Sequence, residues 1–163
     1  MKVILKGNDK NMETVLISAC LVGDKVRYDG KGKYDPRVKE ILENYKLLPY
    51  CPEVMGGLSI PRDKSEILTY LDELKVVSEK GKDVTKNYLE GAKKSLSPIS
   101  YMHVKKAILQ EKSPACGVHL IHNGEFNDKL ISGEGVLTRY LKEHGVEVYT
   151  IDEFYDQFIK ENK

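Results

Sequence analysis

Three cysteines, Cys20, Cys51 and Cys116, are the residues of this chain most able to do chemistry. They lie 31 and 65 positions apart, with no Cys-x-x-Cys pair among them, so only the fold can bring them together. Three thiolates at one site repel one another unless a soft cation neutralises them, which points to zinc or an iron–sulfur cluster. A closed structural zinc site takes four protein ligands, so three cysteines favour a centre with one position left open. Against this, cysteine is among the most buried residue types, and a single one at a strand end is ordinarily core. Two other readings stand beside the open centre. One is a zinc or cluster-binding module whose shell is closed by His119, the histidine near Cys116; the other is an enzyme using one cysteine as nucleophile.

The elements that must position these thiols follow from hydrophobic pattern. Thr14 to Cys20 is a continuous apolar and β-branched run, the signature of a strand buried on both faces of a parallel sheet, with Cys20 at its carboxyl edge. A Gly-, Asp- and Lys-rich loop follows, and Asp35-Pro36 opens a helix through Val38, Ile41 and Leu42. Leu47 to Cys51 reads as a second strand weakened by Pro49, and Leu74 to Ser78 as a third. Helices are expected over Asp83 to Ser95 and near Pro98 to His103, then a strand over Val104 to Gln110. Val118 to Phe126 looks like a hairpin turning at Asn123-Gly124. Gly133-Glu134-Gly135 opens a helix to His144 and offers a seat for an anion, Val146 to Ile151 is a fifth strand, and Asp152 caps a last helix ending near Glu161. Alternating strands and helices predict a single α/β domain. Its sheet has about five strands, mostly parallel and flanked by helices, layered as in Rossmann-like and flavodoxin-like folds. Ligands of such sheets bind outside the carboxyl ends of the strands, where all three cysteines fall.

Composition narrows the class. Lys and Arg (26) nearly cancel Asp and Glu (25), leaving +1, so the chain lacks the basic field that phosphate backbones demand and nucleic acid is not the expected partner. With 40% hydrophobic and 31% charged residues it is too apolar for disorder. No apolar run approaches the roughly 18 residues of a membrane span, and the first residues are too briefly apolar for a signal peptide. These features, with an odd number of thiols, predict a cytoplasmic protein without a disulfide framework.

Five ordered motifs carry a resemblance. They are Ile17-Ser18-Ala19-Cys20-Leu21-Val22-Gly23 with Val26-Arg27-Tyr28-Asp29-Gly30, and Cys51-Pro52-Glu53-Val54-Met55-Gly56-Gly57-Leu58 with Pro61-Arg62. Gly81-Lys82-Asp83-Val84-Thr85, Gly91-Ala92 and Ser113-Pro114-Ala115-Cys116-Gly117 complete the set. In this order they resemble the thiouracil desulfidase family, over about Thr14 to Ile151. The resemblance implies a [4Fe–4S] cluster held by Cys20, Cys51 and Cys116, with a fourth iron left open to bind the sulfur of a thiolated uracil. Desulfuration would then be a hydrolysis without net redox. Such an open cluster is readily lost in air, leaving free thiols or a disulfide.

Hydrolysis also needs an acid/base group, and Glu53, two residues after Cys51, is the candidate; a loop Glu that caps a helix or pairs with Arg62 is the alternative. Ser113 is a candidate to orient substrate or to donate to a cluster sulfide, and Ser18 likewise, although both types also serve turns and strand ends. Arg27, Tyr28, Lys31 and Arg62 lie in the loops after the first two strands, with Arg27 and Arg62 as candidate substrate-binding residues. Ala115 stands where the family motif usually has Ser. The expected substrate is a small thiolated base or nucleotide, with thiolated tRNA a larger alternative disfavoured by the neutral charge. Residues 1–12 precede the start typical of the family and are read as an extension, the desulfidase-like domain occupying 13–163.

Overall fold

A computed structural model describes residues 3–4, 11–70 and 73–160. Four parallel strands form the central sheet, β1 (Glu13–Ser18), β2 (Tyr45–Tyr50), β5 (Lys106–Ile108) and β8 (Glu147–Tyr149), in the order β2-β1-β5-β8. Val15, Leu16 and Ile17 of β1 are fully buried, as a strand covered on both faces requires. Alternate residues face opposite layers. Leu16, Leu48 and Ala107 pack with α3 (Thr85–Lys94), α4 (Leu96–Tyr101) and α5 (Val136–Glu143). Val15, Ile17, Leu47 and Ile108 pack with α1 (Val38–Ile41) and α6 (Ile151–Phe154), the latter continuing as a wider π-type turn over Tyr155–Ile159. The α/β class and flanked parallel sheet therefore hold.

The sheet has four strands rather than five. Leu74 to Ser78 forms β4 (Lys75–Ser78), which pairs antiparallel with β3 (Ser65–Thr69), a strand not expected from sequence, in a separate two-stranded sheet. A parallel return to the central sheet would need a crossover of a dozen or more residues, whereas only five residues separate β3 from β4. The second hairpin is also wider than expected. β6 (Leu120–His122) pairs with β7 (Leu130–Ser132) in register Leu120↔Ser132 to His122↔Leu130, so Asn123-Gly124 begins a seven-residue loop instead of forming a tight turn. Glu66 takes up that loop's backbone, its Oε1 accepting from Gly124 N–H (2.9 Å) and Phe126 N–H (3.1 Å).

Two helix starts shift, and a third, in its expected place, is closed to ligands. The Asp35 carboxylate accepts the Arg37 N–H at 2.9 Å, and α1 begins two residues later than expected and lasts one turn. Thr150, not Asp152, caps α6 through a capping box with Glu153. The N-terminus of α5 is closed to anions, because the Gly135, Val136 and Leu137 N–H groups donate to the Gly117, Pro114 and Ala115 carbonyls, each at 2.8 Å. Ile4, from the N-terminal residues read as an extension, exchanges two backbone hydrogen bonds with Leu47 on the edge strand β2. The expected end of the last helix near Glu161 lies outside the described residues. Among the described residues no helix is long and apolar enough to cross a membrane.

Candidate active site at the carboxyl ends of the strands

The chain runs from β1 outward to β2, then returns to the other side of β1 as β5, so the strand order reverses next to β1. A crevice opens outside the carboxyl ends at such a switch point. It holds a cavity of about 260 Å³, just below the usual range for small-molecule sites. All eight residues singled out in the sequence line it: Cys20, Cys51, Cys116, Glu53, Ser113, Ser18, Arg27 and Arg62.

Each thiol is placed by a different local device. Cys20 sits in a 3₁₀ turn (Ala19–Val22) at the end of β1, closed by Gly23 at φ +99°. Its carbonyl is also bonded by the Lys33 N–H at 2.8 Å, folding the following loop back over the turn. Cys51 is the residue before α2 (Pro52–Met55), whose one turn packs on α3 with no room for side chains between them. A Cβ at Gly91 would stand 1.9 Å from the Pro52 carbonyl oxygen, and one at Gly56 would stand 2.0 Å from that of Asn87. Cys116 lies in the segment gripped by the N-terminus of α5, and Thr138 Oγ1 donates to its carbonyl at 3.1 Å.

All three are free thiols, Cys20 and Cys116 buried and Cys51 partly so. Burial pushes Cys20 up to about 11, against the pull of Arg27 and Lys33. It also raises Cys51. Cys116 is raised well above its ordinary value by burial, the Ser18 hydroxyl bonded to it acting the other way. At neutral pH the three are therefore protonated, and a thiophilic metal centre would have to displace their protons. Among the described residues no three His, Cys, Asp or Glu side chains converge closely enough to hold a single metal ion.

Glu53 combines both roles foreseen for it in position, lining the cavity while pairing with Arg62. Its Oε2 accepts from Arg62 Nε at 3.2 Å and from the buried Tyr88 hydroxyl at 2.8 Å. Three of the five Arg62 N–H donors are engaged, Nε with Glu53 and Nη1 and Nη2 with the Ser59 (3.1 Å) and Val26 (2.9 Å) carbonyls, and two remain. It acts as a brace between the loops. Ser113 Oγ accepts the Cys116 N–H at 2.7 Å, which leaves its own proton to donate. Ser18 Oγ accepts the Gln110 N–H at 2.9 Å and is bonded to the Cys116 thiol. Arg27 and Tyr28 line the cavity, with the Arg27 guanidinium 5.8 Å from the Tyr28 ring centre; Lys31 is not on the wall. Ala115 is 1% exposed in the core, so the departure from the usual Ser lies behind the wall.

Two histidines exchange importance. His119, the one considered as a fourth ligand, points away and meets Glu153 at 3.0 Å on the surface. His122, to which no role was assigned, lines the cavity together with Glu66 and Lys64. Only the pairing of β6 with β7 and the docking of β3 bring these residues there, and no spacing in the sequence signals it.

The family model described as 2-thiouracil desulfurase matches residues 15–153. An uncharacterised protein of Bacillus subtilis (strain 168), YbbK, is 36% identical over 148 residues, 87% of this chain and 98% of that protein. A solved structure described as the [4Fe-4S]-dependent thiouracil desulfidase TudS superposes with a TM-score of 0.81 at 36% identity, covering 88% of this chain and 94% of that one. The fold, the motifs and this match together show that the chain belongs to the 2-thiouracil desulfurase family.

Proposed function

We propose that this protein is a [4Fe–4S]-dependent desulfidase that hydrolyses 2-thiouracil or a related thiolated base or nucleotide in a reducing cytoplasm. The ring carbon gains oxygen from water and the sulfur leaves as hydrogen sulfide, with no net transfer of electrons. One observation carries the reading: three free thiols from three separate segments, just after β1, just after β2 and in the loop between β5 and β6, line one cavity with Glu53. The donor set suits an iron–sulfur cluster, which takes cysteines at separate irons, better than a mononuclear zinc that needs its ligands within about 2.3 Å of one point. Similarity to the desulfidase of known structure supports the same choice.

Cys20, Cys51 and Cys116 would hold the cluster. When bound, it supplies a Lewis-acidic iron with an open position and an affinity for the leaving sulfur. Glu53 takes the proton from the attacking water and returns it to the leaving group. Tyr88 and Arg62 fix its Oε2 and leave Oε1 to work. Ser113 donates its hydroxyl proton into the cavity, and Arg27 offsets negative charge beside Cys20.

Anaerobic reconstitution with iron and sulfide should give about four irons per chain, with the visible absorbance of a cluster. Added 2-thiouracil should then release sulfide and form uracil. Replacing any one cysteine by Ser should lower both iron content and turnover. Stoichiometric zinc without iron uptake would overturn the reading, as would cluster absorbance retained in all three single variants. Glu53→Gln should keep the iron and lose turnover; unchanged sulfide release would remove Glu53 from the mechanism.

A further inference from the structure

His122 ends β6, and strand alternation sets it opposite Ile121, which packs into the main core. Its ring lines the cavity, yet its Nδ1 is shut off from solvent and has no hydrogen-bond partner. Among the described residues it is the only buried side-chain nitrogen or oxygen in that state. Buried polar atoms are almost always paired, and an exception calls for an explanation, a catalytic or ligand-binding role among them. Two carboxylates that line the same cavity are committed to backbone. Glu66 Oε1 holds two backbone N–H groups, and Glu111 accepts from Val118 (2.6 Å), His119 (2.9 Å) and Leu120 (3.0 Å). The backbone that carries His122 is therefore anchored while its imidazole is not. No hydrogen bond of Nδ1 fixes the orientation of the ring about Cβ–Cγ, and a ligand in the cavity would supply the missing partner.

We propose that His122 is a substrate-binding, specificity-determining residue that hydrogen-bonds the lactam edge of the thiolated heterocycle, and through it the ring carbonyl that lies away from the reacting C–S bond. A lactam carries a donor and an acceptor side by side, so either neutral tautomer of the imidazole finds a complement there. The carbonyl is present in substrate and product alike, so the bond stabilises ground state and transition state equally and acts on KM rather than kcat. The inference rests on the proposed desulfidase reading and adds which part of the ring is recognised, and by which residue.

The test compares wild type, His122→Leu and His122→Asn, each reconstituted anaerobically and checked for iron content and thermal midpoint. His122→Leu should load iron normally, raise KM for 2-thiouracil about tenfold with kcat nearly unchanged, and weaken calorimetric uracil binding by a similar factor. His122→Asn, which keeps a polar atom near the Nδ1 position, should restore most of both. Wild type should prefer 2-thiouracil over pyrimidine-2-thione, which lacks the carbonyl, and His122→Leu should lose that preference. Wild-type KM, uracil affinity and selectivity retained in His122→Leu would overturn the role of His122 and leave the desulfidase reading standing. A wild type that neither loads iron nor binds either ring would overturn both. A fall in iron content of His122→Leu, with KM of the loaded fraction unchanged, would move His122 from the substrate to the cofactor and overturn the proposal.

Discussion

The two sides of the cavity are built by different forces. The side that carries the thiols is an extension of the parallel sheet. Val15, Leu16 and Ile17 of β1 are completely buried, and α2 meets α3 backbone to backbone at Gly56 and Gly91. The side that carries His122 and Glu66 comes from two short hairpins, and all of β7 is exposed. It is held by carboxylates that reach for backbone N–H groups, Glu66 for the 123–129 loop and Glu111 for the start of β6. Close packing tolerates almost no added volume, whereas each carboxylate clamp is an exchangeable polar bond with a modest net worth. The thiol-bearing side is thus expected to be rigid and the hairpin side adjustable.

Gly91→Ala strikes the rigid side. Its methyl would meet the Pro52 carbonyl oxygen at 1.9 Å, forcing α2 away from α3 and with it the turn that follows Cys51. A loss of about 3 kcal/mol in denaturant unfolding is expected, together with a drop in iron uptake. Normal iron content in this variant would break the link between packing and metal binding.

Glu111→Ala strikes the adjustable side. Four N–H groups, those of Lys112, Val118, His119 and Leu120, lose their acceptor, and a partly solvated loss of about 2 kcal/mol should follow. Faster proteolysis within residues 118–132 should accompany unchanged iron content. A parallel fall in iron would show that the two sides are mechanically one.

The smallest effect is electrostatic and confined to the metal-free protein. Burial raises the folded Cys20 thiol from 9.0 to about 11. A group raised in this way favours the folded state while protonated, so its contribution is intact below about pH 9 and is lost as pH rises toward 11. Cys51 and Cys116 are shifted in the same direction. Unfolding of the metal-free chain should become easier by about 1 kcal/mol between about pH 8 and pH 9.5 from Cys20 alone, and Cys20→Ala should flatten the profile. An unchanged profile would show that Cys20 is not desolvated before metal binds.

How far sequence could reach follows the same division. The apolar run before Cys20 and the helical spacing of Tyr88 and Ala92 reported the three-layer sheet, because hydrophobic burial acts through periodicity that can be read along the chain. Pro49 was correctly compatible with a strand because β2 lies toward the sheet edge, where a missing N–H is tolerated. Leu74 to Ser78 carried an equally good strand pattern, yet pattern does not name a partner, and its neighbour β3 claimed it. Asn123-Gly124 had the composition of a tight turn, but Glu66, more than fifty positions earlier, captured its backbone instead. His119 was favoured over His122 on proximity to Cys116, and a surface pairing with Glu153 removed it from the cavity.

By itself the sequence determined the class of fold, the placing of Cys20 and Cys51 at strand ends and the motif set that marks the family, since residue types, their order and their periodicity are local properties. Tertiary structure decided everything that depends on meeting at a distance. It placed the thiols around one cavity, set Tyr88 and Arg62 on Glu53, closed the α5 N-terminus with the carbonyls around Cys116, and turned an unremarked histidine toward the space where a ligand would sit. Directional contacts between residues tens of positions apart leave no trace in spacing, because the chain between them is free to vary in length while the hydrogen bond is not.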